Sequence, residues 1–379
     1  MKHISITICF IIYSIVTFAQ LRISENSGFP EFDTKTQIKE LLVNYFNSSP
    51  DSTYNNPYWT EIEKQSYKHF DFLSKELRPS IYMGLPVHIL QIDQVKDSLY
   101  KAKVMFYGVQ KDNTPYVLGI FNYMIDINKK KLSNALFYNR EYWNKFEVGM
   151  IDYYVSPKIA FNNKEAKIML RQSQNLCNYF DKPMKKVEYY FADNYEEVLR
   201  VKGIDFLYGA GGSKKPTGTA FQGKIFCSGQ NETYGHEIFH ILIDPHFVNK
   251  HYYVSEGMAC LLFGSRGKPL NWHLQRAHHH LKEHPEIDLS DFFNLYAIDE
   301  YTSYPYIIGG LFCWLIYEEH GKEGLLQLMN SGKSDMEYQR HIIKTLRLEG
   351  KDLNKYIRKK IEEKSQRTQN VLRQQILDS

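Results

Sequence analysis

The spacing of hydrophobic and polar positions changes along the chain, and each change marks a different kind of predicted element. Apolar side chains recur at helical spacing over residues 34–49, and a second helix is predicted over about 58–76. The period then shortens to alternation, with polar turns between the runs. The four strands predicted there cover residues 84–93, 98–109, 115–128 and 131–139.

The pattern changes again near residue 150, where short strands alternate with helices. Everything after Glu232 has helical spacing. Before it, strands are predicted over residues 152–156, 186–191 and 218–227, and helices over residues 163–180 and 194–202.

These patterns predict an α+β fold in two domains. The first, over residues 20–149, is a small α+β domain whose role the sequence does not indicate. The second, over residues 150–379, is expected to have a mixed sheet followed by a mostly helical C-terminal lobe.

The N-terminus has the pattern of a secretory signal peptide. Lys2 and His3 precede an almost wholly apolar run from residue 4 to residue 18, and Thr17-Phe18-Ala19 resembles a cleavage site. The run is shorter than the roughly 20 residues that a spanning helix needs, which favours cleavage over an uncleaved anchor. We expect removal of residues 1–19, a mature chain that begins at Gln20, and a secreted or periplasmic protein without stable membrane insertion.

Composition and charge narrow the classes of partner. The chain has 379 residues and a formal net charge of +4, with lysines and arginines scattered among acidic residues. Because no basic stripe is interleaved with aromatic residues, we expect no nucleic-acid binding. Four cysteines of the predicted mature chain lie in apolar stretches without a Cys-x-x-Cys pair, which favours buried free thiols over disulfides. They are Cys177, Cys227, Cys260 and Cys313.

One segment has the spacing of a metal site. In His236-Glu237-Ile238-Phe239-His240 the two histidines are four residues apart, so on a helix both imidazoles lie on one face. Glu237 beside them is suited to act on a water molecule at the site rather than as a ligand. The flanking residues are apolar, which predicts a buried helix, and buried histidines need partners.

A zinc site needs a third protein ligand, and Glu256 is the candidate. It is the only charged residue between Lys250 and Arg266, in an apolar segment predicted to be helical. A carboxylate in that setting is unfavourable unless it meets a cation. The alternative is an acid near a helix N-terminus that the helix dipole stabilises. We predict that Glu256 binds Zn2+ together with His236 and His240.

These residues resemble a known family. The H-E-x-x-H segment followed by Ser255-Glu256-Gly257-Met258-Ala259 resembles the gluzincin zinc metallopeptidases, in which the third ligand is a Glu on the next helix. The resemblance is to the peptidase-MA-like group, related to the membrane alanyl aminopeptidases and thermolysin, and it covers residues 150–330. Tyr304-Pro305-Tyr306-Ile307-Ile308-Gly309 is similar to a Pro-Tyr-x-x-Gly stretch of those aminopeptidases, whose tyrosine stabilises the oxyanion. The resemblance assigns this role to Tyr306, with Tyr301 and Tyr304 as reserves.

The resemblance implies a zincin-type domain and a secreted metallopeptidase. Such a hydrolase would cleave a peptide or protein substrate through a zinc-activated water, with Glu237 as general base. Two departures limit the comparison. The connection from His240 to Glu256 is shorter than in thermolysin-like or aminopeptidase members, and residues 209–215 contain no acid like the one that holds the substrate amine in the aminopeptidases. Ordinary aminopeptidase specificity is therefore not expected.

Alternatives remain open at this point. The two alternatives to a peptidase are a catalytically inactive peptidase-like scaffold and a zinc hydrolase of non-peptide amides or esters. The strand over 218–227 is either a sheet edge that pairs with a peptide or an internal strand. Asp244 either orients a ligand imidazole or ends a helix. The histidines between residues 273 and 284 are expected on a solvated helix face rather than in a second metal site.

Overall fold

The structure is a computed structural model that describes residues 23–48, 56–67, 85–210, 216–229, 231–367 and 371–377. The predicted signal peptide and its cleavage site lie outside these residues. Within the described ranges, no helix is both long and apolar enough to cross a membrane. The chain divides into two compact units. Of the described residues, the first comprises 23–48, 56–64, 85–118 and 123–133, and the second comprises 65–67, 119–122 and those from 134 to 377.

The first unit is built on a sheet with the strand order β1-β2-β3-β4-β5. Strand β1 pairs parallel with β2, and β2 pairs antiparallel with β3. Side chains of β3 alternate between buried and half-buried positions, as expected for a strand with one face on a core. The strands are β1 Ile23–Glu25, β2 Val87–Lys96, β3 Leu99–Val109, β4 Pro115–Asp126 and β5 Lys131–Asn134.

Aromatic side chains form the core of this unit. Helix α1 (Lys35–Phe46) contributes Tyr45 and Phe46, whose rings lie 5.9 Å and 5.6 Å from the ring of Tyr123 on β4. Phe46 also meets Phe106 of β3 edge-on at 5.2 Å. Helix α2 covers Glu61–Tyr67, so the helix predicted over 58–76 is confirmed for residues 61–67, whereas residues 58–60 precede the helix and Trp59 forms an isolated bridge with Leu132.

The strand predicted over residues 131–139 is wrong beyond Asn134. Residues Leu136–Asn139 form a helical turn, α3, and Arg140–Tyr142 continue it as a 3-10 turn. The cause of the error is the apolar run Leu136-Phe137-Tyr138, because a short run of this kind has no period that separates helix from strand.

The second unit contains a mixed five-stranded sheet with the order β10-β11-β8-β7-β6. Its three central strands, β11, β8 and β7, run parallel, and the two outer strands pair antiparallel. All five residues of β7 and of β11 are buried, as expected for central strands covered on both faces. These strands are β6 Asn144–Val148, β7 Ile151–Val155, β8 Val187–Ala192, β10 Thr217–Phe221 and β11 Lys224–Ser228. Strand β9 (Ile204–Leu207) pairs separately, with residues 119–121 of β4.

The continuous strand predicted over residues 218–227 is instead the β10–β11 hairpin. Gln222 and Gly223 at its turn have φ of +48° and +75°. Two successive left-handed residues are typical of tight two-residue hairpin turns, in which Gly is favoured. The hairpin makes β10 the end of the strand order and β11 an internal strand.

The described residues after Glu232 form helices and no strand longer than an isolated bridge, so the predicted helical lobe is confirmed. One hydrophobic core extends from strands β7, β8 and β11 into these helices. The structure is therefore α+β, as predicted from the order of the patterns. The helices of the second unit are α4 Asn163–Tyr179, α5 Tyr195–Lys202, α6 His236–Leu242, α7 Tyr252–Phe263, α8 Leu270–Glu283, α9 Tyr304–Leu328, α10 Asp335–Thr345, α11 Leu353–Ser365 and α12 Val371–Leu377.

Candidate metal centre

Helix α6 carries both histidines of the H-E-x-x-H segment on its first two turns. All of its residues are buried except His240, which is partly exposed. Gly235 precedes the helix, and a Cβ atom at this position would lie 2.0 Å from the ring of Phe263 at the end of α7. The glycine therefore allows the start of α6 to contact the end of α7.

The two imidazoles meet the carboxylate of Glu256, which extends from the second turn of α7. Oε2 of Glu256 lies 3.2 Å from Nε2 of His236 and 3.5 Å from Nε2 of His240. Each of the three residues has a ligand atom within 4.8 Å of those of the other two, so the group can hold a metal ion. It is the one group of this kind in the part of the chain that the structure describes.

Hydrogen bonds at the opposite ring nitrogens determine which nitrogen of each histidine faces the cluster. Nδ1 of His236 lies 2.7 Å from the carbonyl oxygen of Gly264, and Nδ1 of His240 lies 2.7 Å from Oδ2 of Asp244. A carbonyl and a carboxylate can only accept, so each Nδ1 carries a proton and donates it. In the neutral tautomer both Nε2 atoms then present lone pairs to Glu256, which is the form a metal ligand requires.

Besides its hydrogen bond with His240, Asp244 contacts Ser255 and Lys250. Ser255 donates a second hydrogen bond to Oδ2 of Asp244, and Nζ of Lys250 lies 3.6 Å from Oδ1. Lys250 also donates to the carbonyls of Asp244, at 2.9 Å, and Phe247, at 3.2 Å. Of the two open interpretations of Asp244, these contacts favour the one in which it orients a ligand imidazole.

The cluster needs a cation. With both Nε2 atoms unprotonated, three acceptor atoms face one another, which is repulsive inside a protein. Burial disfavours the charged form of His240, but hydrogen bonds to Asp244 and Glu256 outweigh it and raise the pKa of His240. Burial likewise opposes the charge of Glu256, and hydrogen bonds from the two histidines hold its pKa well below the usual range. The positive charge can be a proton or a metal ion, which takes the same lone pairs.

Glu237 lies beside the cluster and close to the edge strand. Its side chain is buried, and a Cβ atom at Gly218 of β10 would lie 3.0 Å from both Cγ and Oε1 of Glu237. The same Cβ would lie 2.3 Å from the ring of Tyr234. The absence of a side chain at Gly218 is therefore what lets β10 pass directly over the carboxylate.

Tyr306 reaches the cluster because two helices cross at glycines. Gly257 follows Glu256 on α7, and its Cβ position lies 2.3 Å from the carbonyl carbon of Gly309 on α9. Any side chain at either position would force the helices apart. This close approach brings Tyr306, one turn before Gly309, to a ring distance of 5.8 Å from His236. Burial and the charge of Glu256 raise the pKa of Tyr306, so its hydroxyl keeps its proton.

The reserve tyrosines and the other histidines lie elsewhere. The ring of Tyr301 packs at 6.3 Å from that of Trp272, and Tyr304 is buried in the core. His273 is buried between the hydroxyl of Thr302 and the carbonyl of Ser265. None of the histidines between residues 273 and 284 belongs to a group with metal-ligand spacing in the described ranges.

Three residues at the site were missed by sequence reasoning. The ring of Tyr234 stacks on that of His236 at 6.0 Å, Ser255 donates a hydrogen bond to Asp244, and burial and the charge of Glu256 raise the pKa of Tyr252. A signal existed only for Tyr252, which stands four residues before Glu256 on the same predicted helix and so on the same face. Comparison with known proteins adds no assignment, since no protein-family model and no curated protein sequence matches this chain.

Proposed function

We propose that this chain is a secreted zinc-dependent peptidase of the gluzincin kind, whose second unit carries the active site. The observation that carries the proposal is the convergence of His236, His240 and Glu256 beside a buried carboxylate, Glu237, that lies against strand β10 at the end of the sheet. The ligands supply the metal site, the carboxylate supplies a base, and the edge supplies a surface for an extended substrate.

The spacing of the ligand atoms fits zinc. Zinc bonds to histidine nitrogen and carboxylate oxygen are about 2.0–2.1 Å, which in a tetrahedral site separates the ligand atoms by about 3.3–3.4 Å. The two Nε2–Oε2 distances, 3.2 Å and 3.5 Å, bracket that separation. Both imidazoles are also oriented by hydrogen bonds at Nδ1, as in structurally defined zinc sites.

Each residue of the proposed site has a separate role in hydrolysis. A bound zinc ion supplies Lewis acidity, which polarises a carbonyl and makes a water molecule more acidic. Glu237 accepts the proton of the attacking water at its carboxylate and passes it to the leaving amine. Tyr306 donates its hydroxyl proton in a hydrogen bond to the oxygen on which negative charge develops. Asp244 and the Gly264 carbonyl keep the imidazoles in the binding tautomer.

The edge strand favours a peptide over a small amide or ester as the substrate. Among the strands that the structure describes, β10 stands at the end of the strand order and pairs with β11. An extended peptide can add to such an edge through main-chain hydrogen bonds. Because Gly218 lies over Glu237, a peptide bound there has its backbone next to the base.

Metal-dependent cleavage by matched variants tests the proposal. The purified protein should contain about one zinc per chain by elemental analysis and should cleave a fluorogenic peptide library until a chelator is added. Glu237→Gln should lower kcat by about 100- to 10,000-fold with zinc content unchanged, because only the base is removed. Glu349→Gln, an exposed acid on the same unit, should retain full activity.

Three results would count against the proposal. Full cleavage by Glu237→Gln contradicts the role of the base. Zinc that remains bound in the His240→Ala and Glu256→Ala variants contradicts the ligand set. A zinc-loaded wild-type protein that cleaves no peptide supports a scaffold or a hydrolase of other amides and esters. N-terminal sequencing of the exported protein should begin at Gln20, and an N-terminus at Met1 would contradict signal-peptide cleavage.

A further inference from the structure

Ser255 stands directly before the third candidate ligand and contacts the residue that supports the second. It is buried, and its hydroxyl donates a hydrogen bond to Oδ2 of Asp244. The same hydroxyl oxygen lies 3.3 Å from Nδ1 of His240, which donates to Oδ2 of Asp244 at 2.7 Å. The three side chains therefore form a closed triangle of polar contacts at the nitrogen of His240 that points away from the cluster.

The carboxylate of Asp244 depends on Oδ2 for its orientation. Oδ1 is buried and makes no hydrogen bond with any residue that the structure describes. Nζ of Lys250 lies 3.6 Å from Oδ1, which is an electrostatic contact beyond hydrogen-bond distance. A lysine ammonium acts on a carboxylate as a point charge and does not fix its direction. Within the described residues, Ser255 is therefore the donor besides His240 that orients this carboxylate.

Helix α7 contacts the outer nitrogen of both candidate ligand histidines. At its end, the carbonyl oxygen of Gly264 accepts a hydrogen bond from Nδ1 of His236 at 2.7 Å. Near its start, Ser255 contacts both Nδ1 of His240 and the carboxylate that accepts from it. The same helix carries Glu256, so its position determines both the third ligand and the directions of the two imidazoles. Loss of the Ser255 hydroxyl removes the second of these links and leaves the first in place.

We propose that Ser255 is a positioning residue for zinc binding, whose hydroxyl holds Asp244 and, through it, the imidazole of His240. An imidazole rotates broadly about its bond to Cβ, so Nε2 of His240 stays 3.5 Å from Oε2 of Glu256 only while Nδ1 is held. Hydrogen bonds to the outer nitrogen increase metal affinity, because a ligand that is already oriented loses less freedom on binding. This role rests on the proposed zinc peptidase, and it assigns Ser255 no part in the reaction itself.

Zinc affinity tests the positioning role independently of catalysis. Ser255→Ala should weaken zinc binding about three- to tenfold in competition with a chromophoric chelator, which is the effect of one hydrogen bond. Ser156→Ala is the matched control, because Ser156 is also buried in the second unit and donates to a carboxylate, that of Glu197, at 2.7 Å. Glu197 has a lysine partner, Lys158, as Asp244 has. The control removes the same kind of hydrogen bond from residues outside the cluster, so it should bind zinc as tightly as the wild type.

A spectroscopic readout separates the orientation of the imidazole from general destabilisation. In protein that contains 15N-labelled histidine, the Nδ1–H resonance of His240, assigned by its loss in His240→Ala, should shift in Ser255→Ala and stay in place in Ser156→Ala. An unmoved resonance, an unchanged zinc affinity, or an equal loss of affinity in Ser156→Ala overturns the positioning role. A zinc-loaded wild-type protein that cleaves no peptide overturns the peptidase proposal instead, and the zinc affinities of the two variants still decide the role of Ser255.

Discussion

Replacing Gly309 by alanine is expected to separate the two helices on which the site depends. The ideal Cβ of Gly309 lies 2.0 Å from the carbonyl oxygen of Tyr253, 3.0 Å from its carbonyl carbon, and 3.2 Å from Cα of Gly257. Ordinary van der Waals contact begins at 3.4 Å, so α7 and α9 must move apart by more than 1 Å. The obstacle is backbone, which cannot rotate away as a side chain can.

The magnitude follows from two opposing contributions. Overpacking a core typically costs about 1–3 kcal/mol, and a backbone collision belongs at the upper end. Alanine in place of glycine within a helix returns up to about 1 kcal/mol. We expect Gly309→Ala to lower the free energy of unfolding by about 2 kcal/mol, which corresponds to a decrease in Tm of about 4–8 °C for a unit of this size.

The neighbouring glycine supplies a matched control. A Cβ at Gly310 would meet the methyl carbons of Leu270 at 2.9 Å and 3.0 Å, and these can shift at little cost. Gly310→Ala should therefore remain within about 1 kcal/mol of wild type. Thermal unfolding followed by circular dichroism measures both variants. Equal Tm values for Gly309→Ala and Gly310→Ala would refute the reasoning, because the two substitutions differ only in what the new methyl group meets.

The remaining predictions concern the site and the thiols. Asp244→Ala should weaken zinc binding about 10- to 100-fold in competition with a chromophoric chelator, because Asp244 orients His240. The control Asp335→Ala removes the carboxylate from a histidine that is not a ligand, and an equal loss there would point to general destabilisation. Gly218→Ala should lower kcat and leave zinc content unchanged, since its methyl group presses on Tyr234 and Glu237; wild-type kcat would contradict that contact. All four cysteines of the described residues should resist iodoacetamide at pH 8 until denaturant is added, because burial raises their pKa values, that of Cys227 to about 12. After unfolding, mass spectrometry should detect four alkylated thiols, and only two alkylated thiols would indicate a disulfide.

Local patterns in the sequence determined the elements of the site. The four-residue spacing of His236 and His240 holds on any helix, because 3.6 residues per turn puts both on one face. The isolation of Glu256 in an apolar segment indicated a carboxylate with a cationic partner, since an unpaired buried charge is unfavourable. The α+β class followed in the same way from the order of the periods, strands before helices.

Other features depended on long-range contacts that no local pattern encodes. The short apolar run after Asn134 and the Gln222-Gly223 turn were misassigned, because such runs and turns take their conformation from their surroundings. Tyr306 meets His236 only because Gly257 and Gly309 let two helices touch, and Glu237 lies under β10 only because Gly218 has no side chain.

The sequence by itself thus indicated which residues are the candidate ligands and the candidate base, since residue type and helical spacing are properties of short segments. Only the tertiary structure decided which lone pairs converge and which hydroxyls and carboxylates surround them. Those relations join α6, α7, α9 and β10, and the close approach of backbones at glycines fixes them. A glycine in a sequence marks the absence of a side chain and does not identify the element that occupies the space.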